Sequence, residues 1–255
     1  MKSIHMRIHL IIILFVCVFT AKLSAQERTF LPKGLHKLTA KEQQNVQVNL
    51  GLPMYLEDGT KLDALESMKA ITGPEYGYEI HGTSNGEVAA LVLIKLSKEQ
   101  SEARLKQMMN RPDMTGDKKG TAAPSFIAKN MGGEPLDLNE MKGSIVVLNF
   151  WFIGCKPCQV EIPDLNQLVE KYKNEEVKFV AIALDDQAAI EDFLNRKAFK
   201  YDIVPNARNI AQMYQVSSYP SHYLIDREGN IQFYQAGYHG VLINILDKKI
   251  EEMLK

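Results

Sequence analysis

Residues 144–152 run Ser-Ile-Val-Val-Leu-Asn-Phe-Trp-Phe, an apolar stretch of strand length that reads as a buried strand. Ile153-Gly154-Cys155-Lys156-Pro157-Cys158 follows at once, and from Gln159 to Tyr172 the apolar residues recur at helical spacing. Two cysteines therefore stand where a strand hands over to a helix. Thiols one helical turn apart can close and open a disulfide with little backbone movement, which makes redox chemistry the leading expectation. The unpaired N–H groups of a helix start favour negative charge, so a cysteine placed there gains thiolate character, the form that attacks disulfides.

The first 25 residues set the compartment. Lys2 and Arg7 precede an apolar stretch over 10–19, and Leu23-Ser24-Ala25 offers a small-residue cleavage site, the pattern of a secretory signal peptide. Ten apolar residues are too few to span a bilayer comfortably. Cys17 lies inside that stretch behind Phe15-Val16, without the small residue that a lipid-anchored leader wants before its cysteine. Of the 255 residues, 230 remain after the leader, and of the three cysteines only Cys155 and Cys158. The leader takes Lys2, Arg7 and Lys22 from 30 basic residues set against 31 acidic ones, which leaves a net charge of −4 and argues against a nucleic-acid partner. An exported dithiol tends to become oxidised, so one that acts as a reductant needs an electron supply of its own.

Residues 111–122 concentrate turn formers and charge, Arg111-Pro112-Asp113 and Gly116-Asp117-Lys118-Lys119-Gly120 among them, and read as a linker. Before it, residues 26–110 predict a small α+β unit in the order strand (53–56), helix (63–71), strand (76–82), strand (87–96), helix (97–109). Asn85-Gly86 supplies a hairpin signal and Ser97 a helix cap. His81, alone in a strand, reads as structural, and nothing in this unit assigns a chemistry. After the linker, residues 123–255 alternate: strands at 145–152, 178–184, 222–225 and 231–234, and helices at 161–172, 188–199, 210–214 and 241–254. That is a βαβ half joined to a ββα half, an α/β sandwich around a central sheet.

From about residue 124 onward the chain resembles a thioredoxin-like fold, in the exported thiol-disulfide oxidoreductase branch called TlpA- or ResA-like, a relative of the redoxin and peroxiredoxin families. The pieces that carry the resemblance are Ala123-Pro124-Ser125-Phe126, Phe150-Trp151, Cys155-Lys156-Pro157-Cys158, Glu161-Ile162-Pro163, Tyr219-Pro220-Ser221 and Leu224-Ile225-Asp226. They cover somewhat more than half of the mature chain and none of the N-terminal unit. In this setting Cys155, the more exposed at the helix start, is the expected nucleophile that forms a mixed disulfide, and Cys158 resolves it. Lys156 favours the thiolate by its charge, whereas Pro157 removes one N–H donor. Thioredoxins carry an aspartate where Asn149 stands and use it to take the proton of the buried thiol. Asn149 cannot, and Glu161, three residues beyond Cys158 on the same helix face, is the carboxylate expected to do so, a part the family gives to this glutamate. The resemblance implies a cis Pro220 beside the cysteines, with Tyr219 lining a groove in which an extended substrate pairs.

One position departs from the family, which usually carries tryptophan before the first cysteine where this chain has Gly154. The aromatic platform is then lost unless Trp151 or Phe152 replaces it. The expected activity is reduction of protein disulfides by a Cys155–Cys158 dithiol, without metal or organic cofactor, in the periplasm, at the membrane or after secretion, with a membrane thiol-electron donor as partner. Zinc would need two further good ligands, and the mature chain offers no third cysteine. A thiol peroxidase is the alternative within the fold, although peroxiredoxins show Thr-x-x-Cys where Cys155 stands first. A binding module on an inert thioredoxin-like scaffold is the alternative outside catalysis.

Overall fold

The computed structural model describes residues 28–45, 52–110 and 116–255; the leader over 1–25 and the first residues of the expected linker lie outside them. The N-terminal unit comprises β1 (His36–Lys37), β2 (Met54–Leu56), α1 (Ala64–Thr72), β3 (Tyr76–Gly82), β4 (Val88–Lys95) and α2 (Lys98–Met109). Its sheet has the order β1-β3-β4-β2, with β2 parallel to β4 and the other pairs antiparallel. In β4, Leu91 packs on one face with Leu38, Met54 and Ile80, while Ala90 and Val92 pack on the other with Leu31. Both helices start on a reciprocal cap. The Asp63 side chain accepts from the Glu66 amide while Glu66 accepts from the Asp63 amide, and Ser97 and Gln100 repeat the arrangement. Asn85-Gly86 turns the β3–β4 hairpin, where Gly86 takes φ 83°. β1 adds a strand ahead of the expected order, because Leu38 donates to the Ile80 carbonyl and holds the segment against β3.

The C-terminal unit opens with a hairpin that periodicity does not reveal, β5 (Ile127–Lys129) and β6 (Pro135–Asp137). It continues through β7 (Ile145–Trp151), α3 (Lys156–Lys171), β8 (Val177–Ala183), α4 (Gln187–Leu194), β9 (Asp202–Val204), α5 (Arg208–Met213), β10 (Ser221–Ile225), β11 (Ile231–Ala236) and α6 (Leu242–Leu254). The main sheet has the order β11-β10-β7-β8-β9: β7, β8 and β9 are parallel, and β10 and β11 antiparallel to their neighbours. All seven residues of β7 are buried, as a central strand covered on both faces requires. Ile145, Val147 and Trp151 pack with Ile162, Leu165, Leu246 and Ile250 of α3 and α6; Val146, Leu148 and Phe150 pack on the opposite face with Ile210 and Tyr214. Each fully buried aliphatic side chain contributes about 1.5–3 kcal/mol, so this strand anchors the unit.

Two boundaries differ from the sequence reading, the end of α4 and the end of the expected linker. The helix expected over 188–199 ends at Leu194, and the chain then turns so that Phe199 and Tyr201 stack at 4.9 Å ahead of β9, a strand too short to show a pattern. Pro163 lies inside α3 and has no N–H for the Gln159 carbonyl, which accepts instead from Nζ of Lys197. The end of the expected linker is not free. Gly120 donates to the Ile231 carbonyl, Ile231 to that of Thr121 and Ala123 to that of Gly229, and Nζ of Lys118 sits 5.0 Å from the Tyr234 ring centre.

The two units touch beside α3. Gly240, just before α6, lies so close to the end of α1 that a Cβ there would meet the Thr72 carbonyl oxygen at 2.6 Å and the Gly73 nitrogen at 2.7 Å. Only a residue without a side chain permits that approach.

Candidate active site

Cys155 is the residue that caps α3: its Sγ accepts from the Cys158 amide at 3.2 Å. The two cysteines are joined in a disulfide, with an S–S length of 2.03 Å and Cα atoms 5.3 Å apart. Lys156 and Pro157 form the first helical turn, where a proline is tolerated because its missing N–H would have no partner inside the helix. Cys155 is 5% exposed and Cys158 1%, so the expected difference in exposure is small, and at the start of α3 Lys156 is the exposed side chain. The loop ahead of the pair is fixed from three sides. Ile153 donates to Oδ2 of Asp185 at 2.6 Å, Nε2 of Gln159 donates to the Ile153 carbonyl at 2.6 Å, and Cys155 donates to the Phe152 carbonyl at 3.1 Å.

The aromatic residues divide between the core and the partly exposed surface. Trp151, expected to touch substrate, is instead 1% exposed and packs against Phe193 at 5.4 Å and Phe199 at 5.3 Å. The physical reason is alternation: in β7 it shares the face of Ile145 and Val147, under α3. Phe152, one residue on, is half-buried, stands edge-on to Tyr219 with ring centres 5.4 Å apart, and lies over Gly154. The Tyr219–Pro220 peptide is cis. Ser221 pairs with Phe150, so one further step of the register puts the buried Pro220 at the end of β7 where the cysteine loop begins.

Beneath α3 the sheet carries a buried polar group. Asn149 and His222 are cross-strand partners in the β7–β10 pair, and Glu161 descends onto them from the helix turn after Cys158. Glu161 is 2% exposed and His222 fully buried. Nδ2 of Asn149 donates to Oε1 of Glu161 at 2.9 Å, and Nε2 of His222 lies 3.0 Å from the same oxygen. Oε2 has no hydrogen-bond partner among the described residues, and neither has the buried Tyr201 hydroxyl. Burial and then the Glu161 charge hold the Tyr201 phenol well above its ordinary range; burial, Asp164 and Glu161 push Tyr238 up to about 12. Sequence reading singles out Glu161 and Asn149 but misses His222. Its signal is a polar residue in an otherwise apolar strand directly after Pro220-Ser221, and its meaning depends on a strand register that periodicity does not supply.

A five-stranded mixed sheet, a disulfide at the N-terminus of the helix after its central strand, and a cis-proline strand beside it define a thioredoxin-fold protein with a dithiol–disulfide centre. The model of the AhpC/TSA family matches residues 119–234. The thioredoxin-like protein YneN of Bacillus subtilis (strain 168) is 34% identical over 128 residues, which cover 48% of this chain and 74% of YneN. The thiol-disulfide oxidoreductase ResA of Bacillus thuringiensis (strain Al Hakam) is 34% identical over 114 residues, 44% of this chain. The match spans 66% of that protein's length. The crystal structure of a candidate thiol:disulfide interchange protein DsbE from Chlorobium tepidum superposes with a TM-score of 0.51 at 29% identity, over 54% of this chain and 98% of that one. The chain belongs to the thioredoxin-like AhpC/TSA family. Its N-terminal unit lies outside the matched residues. Among the described residues no group of three or more His, Cys, Asp and Glu is placed to hold a metal ion, and no helix is long and apolar enough to cross a membrane.

Proposed function

We propose that the protein is an exported thiol-disulfide oxidoreductase that reduces protein disulfides. The observation that supports this most is the disulfide at the start of α3 with a buried carboxylate, Glu161, one turn behind Cys158. In the reduced state the Cys155 thiolate attacks a substrate disulfide. One S–S bond forms to Cys155, the substrate bond breaks, and the released thiolate takes a proton. Cys158 then passes its proton to Glu161 and attacks Cys155, which restores the disulfide and releases the second substrate thiol. Two electrons move from the dithiol to the substrate, so the reaction calls for no organic cofactor or metal; a membrane thiol donor re-reduces the pair. Tyr219 and Pro220, with Phe152 opposite, form the groove wall for an extended peptide. Lys156 and Pro157 face that peptide from the first turn.

Insulin-disulfide reduction tests the reading: Cys155→Ser is expected to abolish it, and activity unaffected by that change would end the proposal. A peroxide-consumption assay on the same protein is expected to stay at background; rapid consumption would favour the peroxidase reading of the fold.

A further inference from the structure

A buried carboxylate needs its charge compensated, and the way this one is held decides which of its oxygens can receive a proton. Both donors that reach Glu161, Nδ2 of Asn149 at 2.9 Å and Nε2 of His222 at 3.0 Å, converge on Oε1, while Oε2 has no such partner among the described residues. We propose that His222 is a positioning residue for the proton step: with Asn149 it locks Oε1, orients the carboxylate and leaves Oε2 as the atom that takes the Cys158 proton. This rests on the Glu161 role stated above.

The arrangement follows from the fold. Asn149 and His222 are register partners on adjacent strands, and Leu224, next on the same face of β10, packs in the core under α3. His222 therefore meets Glu161 from below, while Cys158 lies one turn earlier on the same helix. A carboxylate accepts only, so the amide of Asn149 must turn its NH2 toward it and the imidazole must carry its proton on Nε2. The neighbouring titratable groups are Cys158 and Asp164 on α3, Tyr201 ahead of β9 and Tyr238 before α6. In the resolving step the Cys158 S–H bond breaks, the proton moves to Oε2 directly or through water, and the new thiolate forms the S–S bond to Cys155 as the substrate thiolate leaves. When the pair is reduced again, the proton returns from Oε2 to Cys158.

The reduced protein mixed with 5,5′-dithiobis(2-nitrobenzoate) separates the steps, because attack by Cys155 releases a first coloured thiolate and resolution by Cys158 a second. His222→Leu is expected to leave the first release unchanged and to slow the second by about tenfold with an altered pH profile, the scale set by losing one hydrogen bond to an ionised group. His222→Gln, which keeps an N–H donor but cannot titrate, is expected to recover the rate to within about twofold by the same reasoning. A second release in His222→Leu with wild-type rate and pH profile, while Glu161→Gln is slow, overturns the role of His222 and leaves that of Glu161 standing. Wild-type behaviour in Glu161→Gln as well overturns both. Should His222→Leu fail to fold by circular dichroism, ring nitrogen NMR of the reduced wild-type protein decides: a proton on Nε2 supports the proposal, and a bare Nε2 with the proton on Nδ1 overturns it.

Discussion

Trp151 and Phe152 are adjacent aromatic residues with opposite duties, and the alternation of a strand assigns them. Trp151 lies under α3 against Phe193 and Phe199, so Trp151→Ala is expected to cost about 3–5 kcal/mol in chemical denaturation. Phe152, half-buried and edge-on to Tyr219, belongs to the proposed groove, and Phe152→Ala is expected to raise KM for a disulfide peptide with a much smaller loss of stability. In the proposed mechanism Glu161 takes the proton of Cys158. Glu161→Gln keeps the side chain's size but removes its capacity to accept a proton, and is expected to slow the release of substrate from Cys155 by roughly a hundredfold. Its effect on the first attack should be slight, and stopped-flow kinetics of the two steps would show the difference.

Among elements, the long, strongly patterned segments are legible in the sequence, and of the two- and three-residue strands described only β2, expected over 53–56, is. β7 shows as an unbroken apolar run, α3 as a periodic one, and Glu161 as the carboxylate on the Cys158 face. β1, β9 and the β5–β6 hairpin have two or three residues per strand and owe their places to partners distant in sequence. The same limit hides His222: its cross-strand pairing with Asn149 belongs to the register, which the chain expresses only once folded. Motif proximity suggested Trp151 as a groove residue, and the pleat of β7 turned it inward. Helix starts, by contrast, are written locally. Asp63 and Ser97 both form reciprocal caps, and Asp63→Ala is expected to lower stability by about 1 kcal/mol without altering disulfide reduction.

For the whole molecule, the contact between the units depends on Gly240, where a Cβ would run into the α1 backbone at 2.6 Å. Gly240→Val is expected to lower the urea midpoint by an amount worth about 1–3 kcal/mol while the cysteine chemistry persists. Alkali should act through phenols that the fold shields from water. Tyr238, pushed up to about 12 from 10.0 chiefly by burial, stays protonated in the folded chain after the unfolded chain has ionised. Its contribution is therefore complete below about pH 10 and is lost as the pH rises through about 12. A urea midpoint that falls across that window fits this; one that stays level through it does not. Trapping tests the proposed order of events at the cysteines. Reduced Cys158→Ser and Cys155→Ser proteins are each mixed with a disulfide peptide and examined by intact-mass spectrometry. A stable adduct on Cys155 in Cys158→Ser, and none in Cys155→Ser, is the result expected; an adduct on Cys158 alone, or on neither cysteine, would contradict it.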